Sequence, residues 1–178
     1  MVDDLAVWLQ GAYGQAYRTA CLILRNPVDA EEAVREAFLR VWRFRSSLPD
    51  GDGRRPWVYR VVVNTCVSRR RSDLRKTSGD VDLDPHLTSM AAPEPGPEAA
   101  AAQRDLAGAL IAALGELPEH LRVTVVLRYW AGLSEREIAV AIRRRPGTVK
   151  SRLHEARRRL GNDPRLTALV SDTEEVAP

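Results

Sequence analysis

Apolar residues recur at helical spacing through the first 45 residues and predict two amphipathic helices. The first is expected over Leu5–Leu24, because Asn26-Pro27 then interrupts the pattern. The second is expected over Asp29–Arg45, since Asp29 and Glu32 have the spacing of a capping box. Both helices have one apolar face and one charged face, which is typical of small helical domains with a single core.

A third helix is predicted from Pro56 through WVYRVVVNTCVSRRRSDLRK, although its run of three valines also has strand propensity. Its apolar face would enter the core. Its opposite face carries Trp57, Arg60 and Asn64. An aromatic ring beside guanidinium groups suits single-stranded nucleic acid, because the ring stacks on bases and the arginines hold phosphates. A surface helix with solvated arginines is the alternative.

The composition changes between Thr77 and Ala102, where Asp, Pro, Gly, Ser and Ala dominate. Such a stretch cannot fill a core, so it predicts a flexible linker, with a helix starting at the earliest after Pro97. Helical periodicity then returns in two segments, one with leucines at 106, 110, 114 and 117 and one in EHLRVTVVLRYWAG. Pro118 separates these segments, and Gly132 ends the second.

The stretch SEREIAVAIRRRPGTVKSRLHEARRRL predicts two helices joined by a short turn. Ser134 and Glu137 form a capping box, and Pro146 suits the first turn of the second helix. That second helix is strongly basic, and a helix-turn-helix places its second helix in the major groove of DNA. A basic, solvated helix hairpin is the alternative.

The charge of the 178-residue chain is distributed unevenly, although the net charge is only +3. Residues 54–76 carry eight basic side chains and one Asp, and residues 135–160 carry nine basic side chains and three acids. Residues 77–103 carry five acids and no Lys or Arg. Two basic blocks around an acidic spacer indicate two nucleic-acid contacts.

Other chemistry is not indicated by the sequence. Cys21 and Cys66 fall on apolar helix faces and are expected to be buried thiols. There is no pattern of a catalytic site, a phosphate-binding glycine loop or a metal site, so neither an enzyme nor a cofactor is expected. No apolar run approaches the ~20 residues of a membrane span, and the N-terminal residues lack a signal-peptide pattern. A cytoplasmic location is therefore expected.

Three segments together carry a resemblance to a known family: DAEEAVREAFLRVWR, WVYRVVVNTCVSRRR, and LPEHLRVTVVLRYWAGLSEREIAVAIRRRPGTVKSRLHEARRRL. In this order and spacing they resemble an extracytoplasmic-function (ECF) sigma factor of the bacterial sigma-70 family. The resemblance implies a sigma factor that directs core RNA polymerase to specific promoters and assists promoter melting.

The resemblance also implies an all-α fold of two small helical domains. Residues 1–75 would form a region 2-like domain, 76–103 a flexible acidic linker, 104–165 a region 4-like helix-turn-helix domain, and 166–178 a disordered tail. Two small domains on a flexible linker have no fixed mutual orientation, so an extended chain is expected in the absence of a partner.

Three sets of site residues follow from the resemblance. The helix that begins near residue 29 would bind the β′ clamp helices of polymerase, which makes Leu39 part of a contact surface; that set is Asp29, Glu32, Arg35, Glu36, Leu39 and Arg43. Loop 46–55 would receive a flipped base of the −10 element, beside a helix face of Trp57, Arg60, Val61, Asn64, Ser68 and Arg71. The −35 element would be bound by Arg144, Arg145, Thr148, Lys150, Ser151, Arg152, His154, Glu155 and Arg158.

Three positions depart from the family pattern. Ser68 stands where many relatives have Asp, and Arg143 stands where many have a turn glycine. Glu155 stands where relatives usually have Arg. A carboxylate can accept from cytosine N4 but repels phosphate, so this departure predicts an unusual −35 preference.

The expected partners are RNA polymerase core (the β′ clamp helices and the β flap), promoter DNA and an anti-sigma factor. Two other function classes remain open at the level of the residues. One is a homodimeric DNA-binding regulator of palindromic sites, although no heptad seam or sensor domain is evident. The other is an RNA-binding helical protein that uses residues 54–76.

Overall fold

The fold is known from a computed structural model, which describes residues 2–73 and 97–168. Within these ranges the regular structure is helical, as the sequence predicts. The helices are α1 (Val2–Leu24), α2 (Pro27–Arg43), α3 (Arg54–Asp73), α4 (Pro97–Glu116), α5 (Glu119–Tyr129), α6 (Glu135–Ala141) and α7 (Pro146–Gly161). Two 3-10 turns, Arg45–Ser47 and Gly51–Gly53, lie between α2 and α3.

Two segments that were predicted to lack regular structure, the linker and the C-terminal tail, are helical in part. The linker expected at 76–103 lies outside the described residues up to residue 96, and its last residues belong to α4. Residues 164–168 form a further helical turn, in which the amide of Thr167 donates to the carbonyl of Asp163 at 3.0 Å. The first residues of the expected tail are therefore helical, and the rest of it lies outside the described residues.

The start of α2 differs from the capping box expected at Asp29 and Glu32. Asn26 is the N-cap, and its side-chain oxygen accepts from the amides of Val28 at 2.9 Å and Asp29 at 3.2 Å. Pro27 occupies the first turn, where its fixed φ is helical and its missing N–H leaves no donor unsatisfied. Asn26-Pro27 therefore starts α2 as well as following α1, so the capping-box prediction for Asp29 was wrong.

The N-terminal half is a bundle of α1, α2 and α3, with α2 packed against both neighbours. The buried face of α2 consists of Ala30, Ala33, Val34, Ala37 and Val41. Three alanines on this face let the helix backbones approach closely, while the valines fill the remaining space. Each fully buried valine stabilises the bundle by roughly 1.5–3 kcal/mol relative to an exposed one.

The C-terminal half is built around α5, whose residues Leu121 to Leu127 are all buried. It packs against α7, α6 and also α1. A helix that is surrounded in this way needs apolar side chains on every face. The polar exceptions are Thr124, whose hydroxyl donates to the carbonyl of His120 at 2.7 Å, and Arg122, which is fully buried and donates through Nη1 to the carbonyl of Gly115 at 3.1 Å.

The two halves pack against each other, through α1 on α5 and α3 on α6. One apolar cluster continues from Leu5 in the first half to Ala156 in the second. This arrangement differs from the extended chain expected from the linker composition. The reason is a set of side-chain contacts between distant residues, such as Gln15 and Trp130, which no local pattern could reveal.

No helix in the described part of the chain is both long and apolar enough to cross a lipid bilayer.

Candidate nucleic-acid interface

The helix-turn-helix begins with the predicted capping box, which the structure confirms. The amide of Ser134 donates to Oε2 of Glu137 at 2.7 Å, and the amide of Glu137 donates to Oγ of Ser134 at 3.2 Å. Partial burial opposes ionisation of Glu137, but the bonds from Ser134 and the nearby charge of Arg55 outweigh it and lower its pKa. The short helix α6 therefore has a fixed starting point, from which the turn and α7 are positioned.

The turn between α6 and α7 contains a left-handed residue, Arg143, with a φ of 53°. Arg143 follows the C-cap of α6, and the amide of Arg144 reaches back to the carbonyl of Ala139 at 2.9 Å. A glycine adopts this conformation without strain, whereas a residue with a Cβ does not. The junction therefore has a left-handed residue at the turn, as a glycine there would allow, although that residue is an arginine.

The second helix, α7, starts with Pro146 in its first turn, as predicted. Val149, Leu153 and Ala156 are buried on its inner face, which packs against α5 and α6. The nine residues predicted for the −35 element lie on the turn and on the outer part of α7. Six are exposed: Arg144, Arg145, Lys150, Ser151, His154 and Arg158. Three are half-buried: Thr148, Arg152 and Glu155.

An open cavity of about 600 Å³ lies at the turn and is lined by Ala139, Val140, Arg143, Arg144, Arg145 and Thr148. Partial burial and the charge of Arg144 lower the pKa of the Arg152 guanidinium. Arg144 and Arg152 are thus close enough to repel each other. A group of like charges in a concave surface is suited to an anion such as a DNA phosphate.

Glu155 is already bonded within its own helix. Its carboxylate accepts two bonds from Arg158, at 2.9 and 3.0 Å, and one from Arg159 at 2.7 Å. Hydrogen bonds and charge from both arginines lower the pKa of Glu155 to about 2, so it stays ionised at neutral pH. The carboxylate therefore holds two cations of the basic helix as well as being a candidate base contact.

The six residues predicted for the −10 element share one helix, α3. The guanidinium carbon of Arg60 lies 5.5 Å from the centroid of the Trp57 ring. Trp57, Arg60 and Val61 are half-buried, whereas Asn64, Ser68 and Arg71 are exposed. The half-buried residues still expose part of their surface to solvent. The outer face of α3 therefore combines the aromatic ring of Trp57 with the cations of Arg60 and Arg71.

The face of α2 predicted to bind polymerase has the expected orientation. Leu39 is 62% exposed, and Arg35, Glu32 and Arg43 are exposed beside it. Asp29 and Glu36 are half-buried. An exposed leucine among charges of both signs matches the composition of a protein-binding surface.

Sequence reasoning missed Arg69, which anchors two members of this face. Its guanidinium donates to Oδ1 of Asp29 at 3.5 Å and to Oε2 of Glu32. Both acids are thereby tied to α3, so part of their charge is neutralised at the surface where α2 and α3 meet. The sequence signal was a basic run in α3 and an acidic run in α2, but the pairing depends on the rotation of the two helices.

Comparison with family models places two matches on the chain. Residues 9–76 match sigma-70 region 2, and residues 107–160 match sigma-70 region 4. The first match includes α3 and the second includes the helix-turn-helix.

The curated relatives include several ECF sigma factors. The ECF RNA polymerase sigma factor SigE of Mycolicibacterium smegmatis is 34% identical over 82% of this chain, which spans 56% of the length of that relative. The ECF RNA polymerase sigma-E factor of Escherichia coli is 32% identical over 75% of this chain and 73% of the relative. The ECF RNA polymerase sigma factor SigW of Bacillus subtilis is 28% identical over 89% of this chain and 85% of the relative.

Among solved structures, the fold is similar to that of the sigma factor RpoE from Bartonella quintana, which was solved in complex with the anti-sigma factor NepR. The TM-score is 0.66, at 21% sequence identity, over 89% of this chain and 92% of that one.

Proposed function

The chain belongs to the extracytoplasmic-function branch of the sigma-70 family, and from this we propose that it directs RNA polymerase core to specific promoters and assists their melting. The main structural support is the presence of two different DNA-binding surfaces in one chain. A single chain holds a helix-turn-helix with an exposed basic second helix and a separate helix, α3, with a stacked Trp57–Arg60 pair. The first suits duplex DNA and the second suits unpaired bases.

In this proposal α7 and the preceding turn bind the −35 element. Arg144 and Arg145 lie at the N-terminal end of α7, where cations and free backbone amides both attract phosphate. Lys150, Ser151 and His154 are exposed farther along the helix and supply donors for base edges in the major groove. The buried face of α7 fixes the rotation of the helix, which determines which side chains face the DNA.

The −10 element is bound by residues 46–55, of which the structure places the last two in the first turn of α3, and by the rest of α3. Extruding a base from the duplex costs a few kcal/mol, so a pocket that binds the extruded base couples recognition to melting. Trp57 supplies an aromatic surface for an adjoining base, and Arg60 and Arg71 supply charge for the backbone. Asn64 is exposed on the same helix and offers both a donor and an acceptor.

The remaining contacts of the proposal are with proteins. The α2 face around Leu39 binds the β′ clamp helices, and the C-terminal half binds the β flap. The chain makes and breaks no covalent bond itself, and it acts in the cytoplasm, where the polymerase acts on DNA. An anti-sigma factor controls it, as suggested by the RpoE–NepR complex of the structural neighbour.

Transcription from a randomised template library tests this function. The purified chain is mixed with bacterial RNA polymerase core and DNA that is randomised upstream of a fixed reporter sequence, and the templates that yield run-off transcripts are sequenced. We expect two enriched blocks at a constant spacing, and no enrichment without core. A single palindromic block that is enriched by DNA binding without core would support a homodimeric regulator. RNA binding without any promoter-dependent transcript would support the RNA-binding alternative.

A further inference from the structure

The −10 loop, residues 46–53, is the part of the segment assigned to the flipped base that precedes α3. It folds back tightly on itself. Gly51 has a φ of 58°, and a Cβ on Gly53 would lie only 2.8 Å from the Cβ of Pro49. Residues 49–52 are exposed, so packing against the core does not hold the tip of the loop.

Arg54, the first residue of α3, connects this tip to α1. Its Nη1 donates to Oδ2 of Asp4 at 3.1 Å, although the two residues are 50 positions apart in the chain. Its Nη2 lies 3.9 Å from Oδ1 of Asp50. Asp50 is the N-cap of the second 3-10 turn but makes no side-chain cap bond there, so its carboxylate is available to Arg54. One guanidinium therefore links the loop to a helix that is remote in sequence.

The burial of these three groups shows which of them depends on the others. The side chain of Arg54 is 21% exposed, whereas that of Asp4 is 71% exposed and that of Asp50 is fully exposed. Within the described part of the chain, Nε of Arg54 is buried without a hydrogen-bond partner. A largely buried cation needs compensating charge because it has lost hydration, while an exposed carboxylate keeps most of its own. The two carboxylates therefore compensate Arg54 at little desolvation cost and hold its guanidinium in one orientation.

The position of Arg54 relates this contact to the reading of the −10 element. Trp57, whose ring lies under the guanidinium of Arg60, follows Arg54 by three residues on the same helix. The loop tip and the aromatic face of α3 therefore meet at the first turn of this helix. A site discriminates between ligands only if its polar groups are held to within about 0.5 Å of the required geometry. An exposed tip without an external contact would not meet that condition.

We propose that Asp4 and Arg54 are positioning residues for the −10 element: their ion pair fixes the −10 loop against α1 and thereby determines how strictly the flipped base is read. The pair acts through the shape of the loop and not by contact with DNA. The inference rests on the proposed function for its consequence in base reading, whereas the fixed loop is a property of the free chain.

Hydrogen exchange of the free chain tests the fixed loop without DNA. The amide of Arg54 donates to the carbonyl of Gly51 and reports on the last turn of the loop. Asp4→Asn should speed the exchange of this amide by about twofold to fivefold, the range expected for an ion pair with one exposed partner. Asp4→Glu keeps the charge and should keep the wild-type rate. Glu31→Gln is the matched control, since it removes one charge from an exposed ion pair of α2 and should leave the loop unchanged.

Base discrimination gives the functional readout. The chain, in complex with RNA polymerase core, is bound to four pre-melted promoters that differ only at the unpaired base to which the library selection is most sensitive. The ratio of affinities for the best and the worst base should fall by about twofold to fivefold in Asp4→Asn and stay at the wild-type value in Asp4→Glu and Glu31→Gln. Asp4→Asn should cause no further loss in an Arg54→Gln background, because the pair is already absent there.

The outcomes separate this inference from other roles of the pair and from the proposed function. An unchanged exchange rate or an unchanged affinity ratio in Asp4→Asn would overturn the positioning role, as would losses that add in the double variant. Equally tighter binding of Asp4→Asn to all four promoters would also overturn it, by showing that Asp4 only withholds Arg54 from phosphate. A library that yields no promoter-dependent transcripts would overturn the proposed function, while the exchange experiment would still decide whether the pair fixes the loop.

Discussion

Arg60 stacks over Trp57 on α3, with its guanidinium carbon 5.5 Å from the centroid of the indole ring. The contact orients both side chains on the face assigned to the −10 element. Trp57→Ala is therefore expected to weaken binding to a pre-melted promoter by about tenfold to a hundredfold, because a stacked base contributes roughly 1–3 kcal/mol. Binding to the fully paired promoter should change much less. Fluorescence anisotropy on the two DNA forms measures the difference.

Trp57→Phe is the control for this prediction, because it keeps an aromatic face. It should retain most of the affinity for the pre-melted form. Equal losses on paired and pre-melted DNA would show that Trp57 serves packing against the core, with which it is also in contact.

Leu39 offers a test of the polymerase-binding face. Leu39→Arg should reduce affinity for RNA polymerase core by about tenfold or more, because it replaces the apolar anchor of the face with a larger, charged side chain. The unfolding midpoint should hardly change, since Leu39 is 62% exposed. A pull-down with core, followed by urea unfolding of the same sample, gives both values.

Val7→Arg is the matched substitution for Leu39→Arg. Val7 is 67% exposed and lies on α1, outside the face assigned to polymerase. It should leave core affinity unchanged. Unchanged affinity in Leu39→Arg as well would remove the assignment of the α2 face.

Local features of the fold could be predicted from the sequence because their partners are close in the chain. The capping box of Ser134 and Glu137 involves two residues three positions apart, and both bonds are present. The start of α2 was misplaced because two overlapping signals compete there, and Asn26 followed by Pro27 forms a better cap than Asp29.

The arrangement of the halves could not be predicted, since it depends on residues far apart in sequence. Gln15 is an unremarkable polar residue on α1, and only the fold brings it to the carbonyl of Trp130. The same holds for Arg69, whose bonds to Asp29 and Glu32 require a particular rotation of α3 against α2. The outward orientation of Leu39 was predictable, because helical periodicity alone determines it.

The bonds of Arg158 and Arg159 to Glu155 lead to a prediction about how DNA binding depends on salt. Glu155→Gln should free Arg158 and Arg159 from their carboxylate partner and let them reach phosphates. The slope of log K against log salt should then steepen by about 1–2, at ~0.9 per added phosphate contact. Because the pKa of Glu155 is about 2, wild-type binding should show no titration of this group above pH 5.

Glu31→Gln is the control for the salt experiment. It breaks a comparable exposed pair, in which Arg35 donates to Glu31 at 2.8 Å across one turn of α2. It should leave the salt slope on a −35 duplex unchanged. An unchanged slope for Glu155→Gln would show that Arg158 and Arg159 do not face the DNA backbone.

The two buried cysteines predict a loss of stability at alkaline pH. Burial raises the pKa of Cys21 to about 11 and that of Cys66 to about 12. The unfolded chain releases these protons near pH 9, whereas the folded chain keeps them. Stability from this source is therefore complete below about pH 9 and is lost as the pH rises towards 11–12. Urea midpoints at pH 7.5, 9 and 10.5 should show this fall.

Thiol labelling provides an independent measurement of the same burial. At pH 8 both cysteines should react with a disulfide reagent only as fast as the chain opens, because the thiolate is the reactive form. Fast labelling of the folded chain would contradict the burial of these groups.

Arg143 combines a strained backbone with a charge at the candidate DNA surface. Its φ of 53° follows the end of α6, where glycine avoids a cost of about 1–2 kcal/mol. Arg143→Gly should therefore raise the free energy of unfolding by roughly 0.5–1 kcal/mol, less than that cost because glycine has more freedom in the unfolded chain. Arg144→Gly removes the same charge next to it, at a position without a positive φ, and should lower stability.

The same variant should weaken DNA binding, because Arg143 lines the open cavity at the turn with Arg144 and Arg145. Loss of one phosphate contact reduces the salt slope by about 1 and weakens binding similarly on all sequences. A more stable but weaker binder would indicate that the chain keeps arginine here for its charge, at the expense of backbone strain. Unchanged affinity together with increased stability would exclude that explanation and remove Arg143 from the DNA-binding surface.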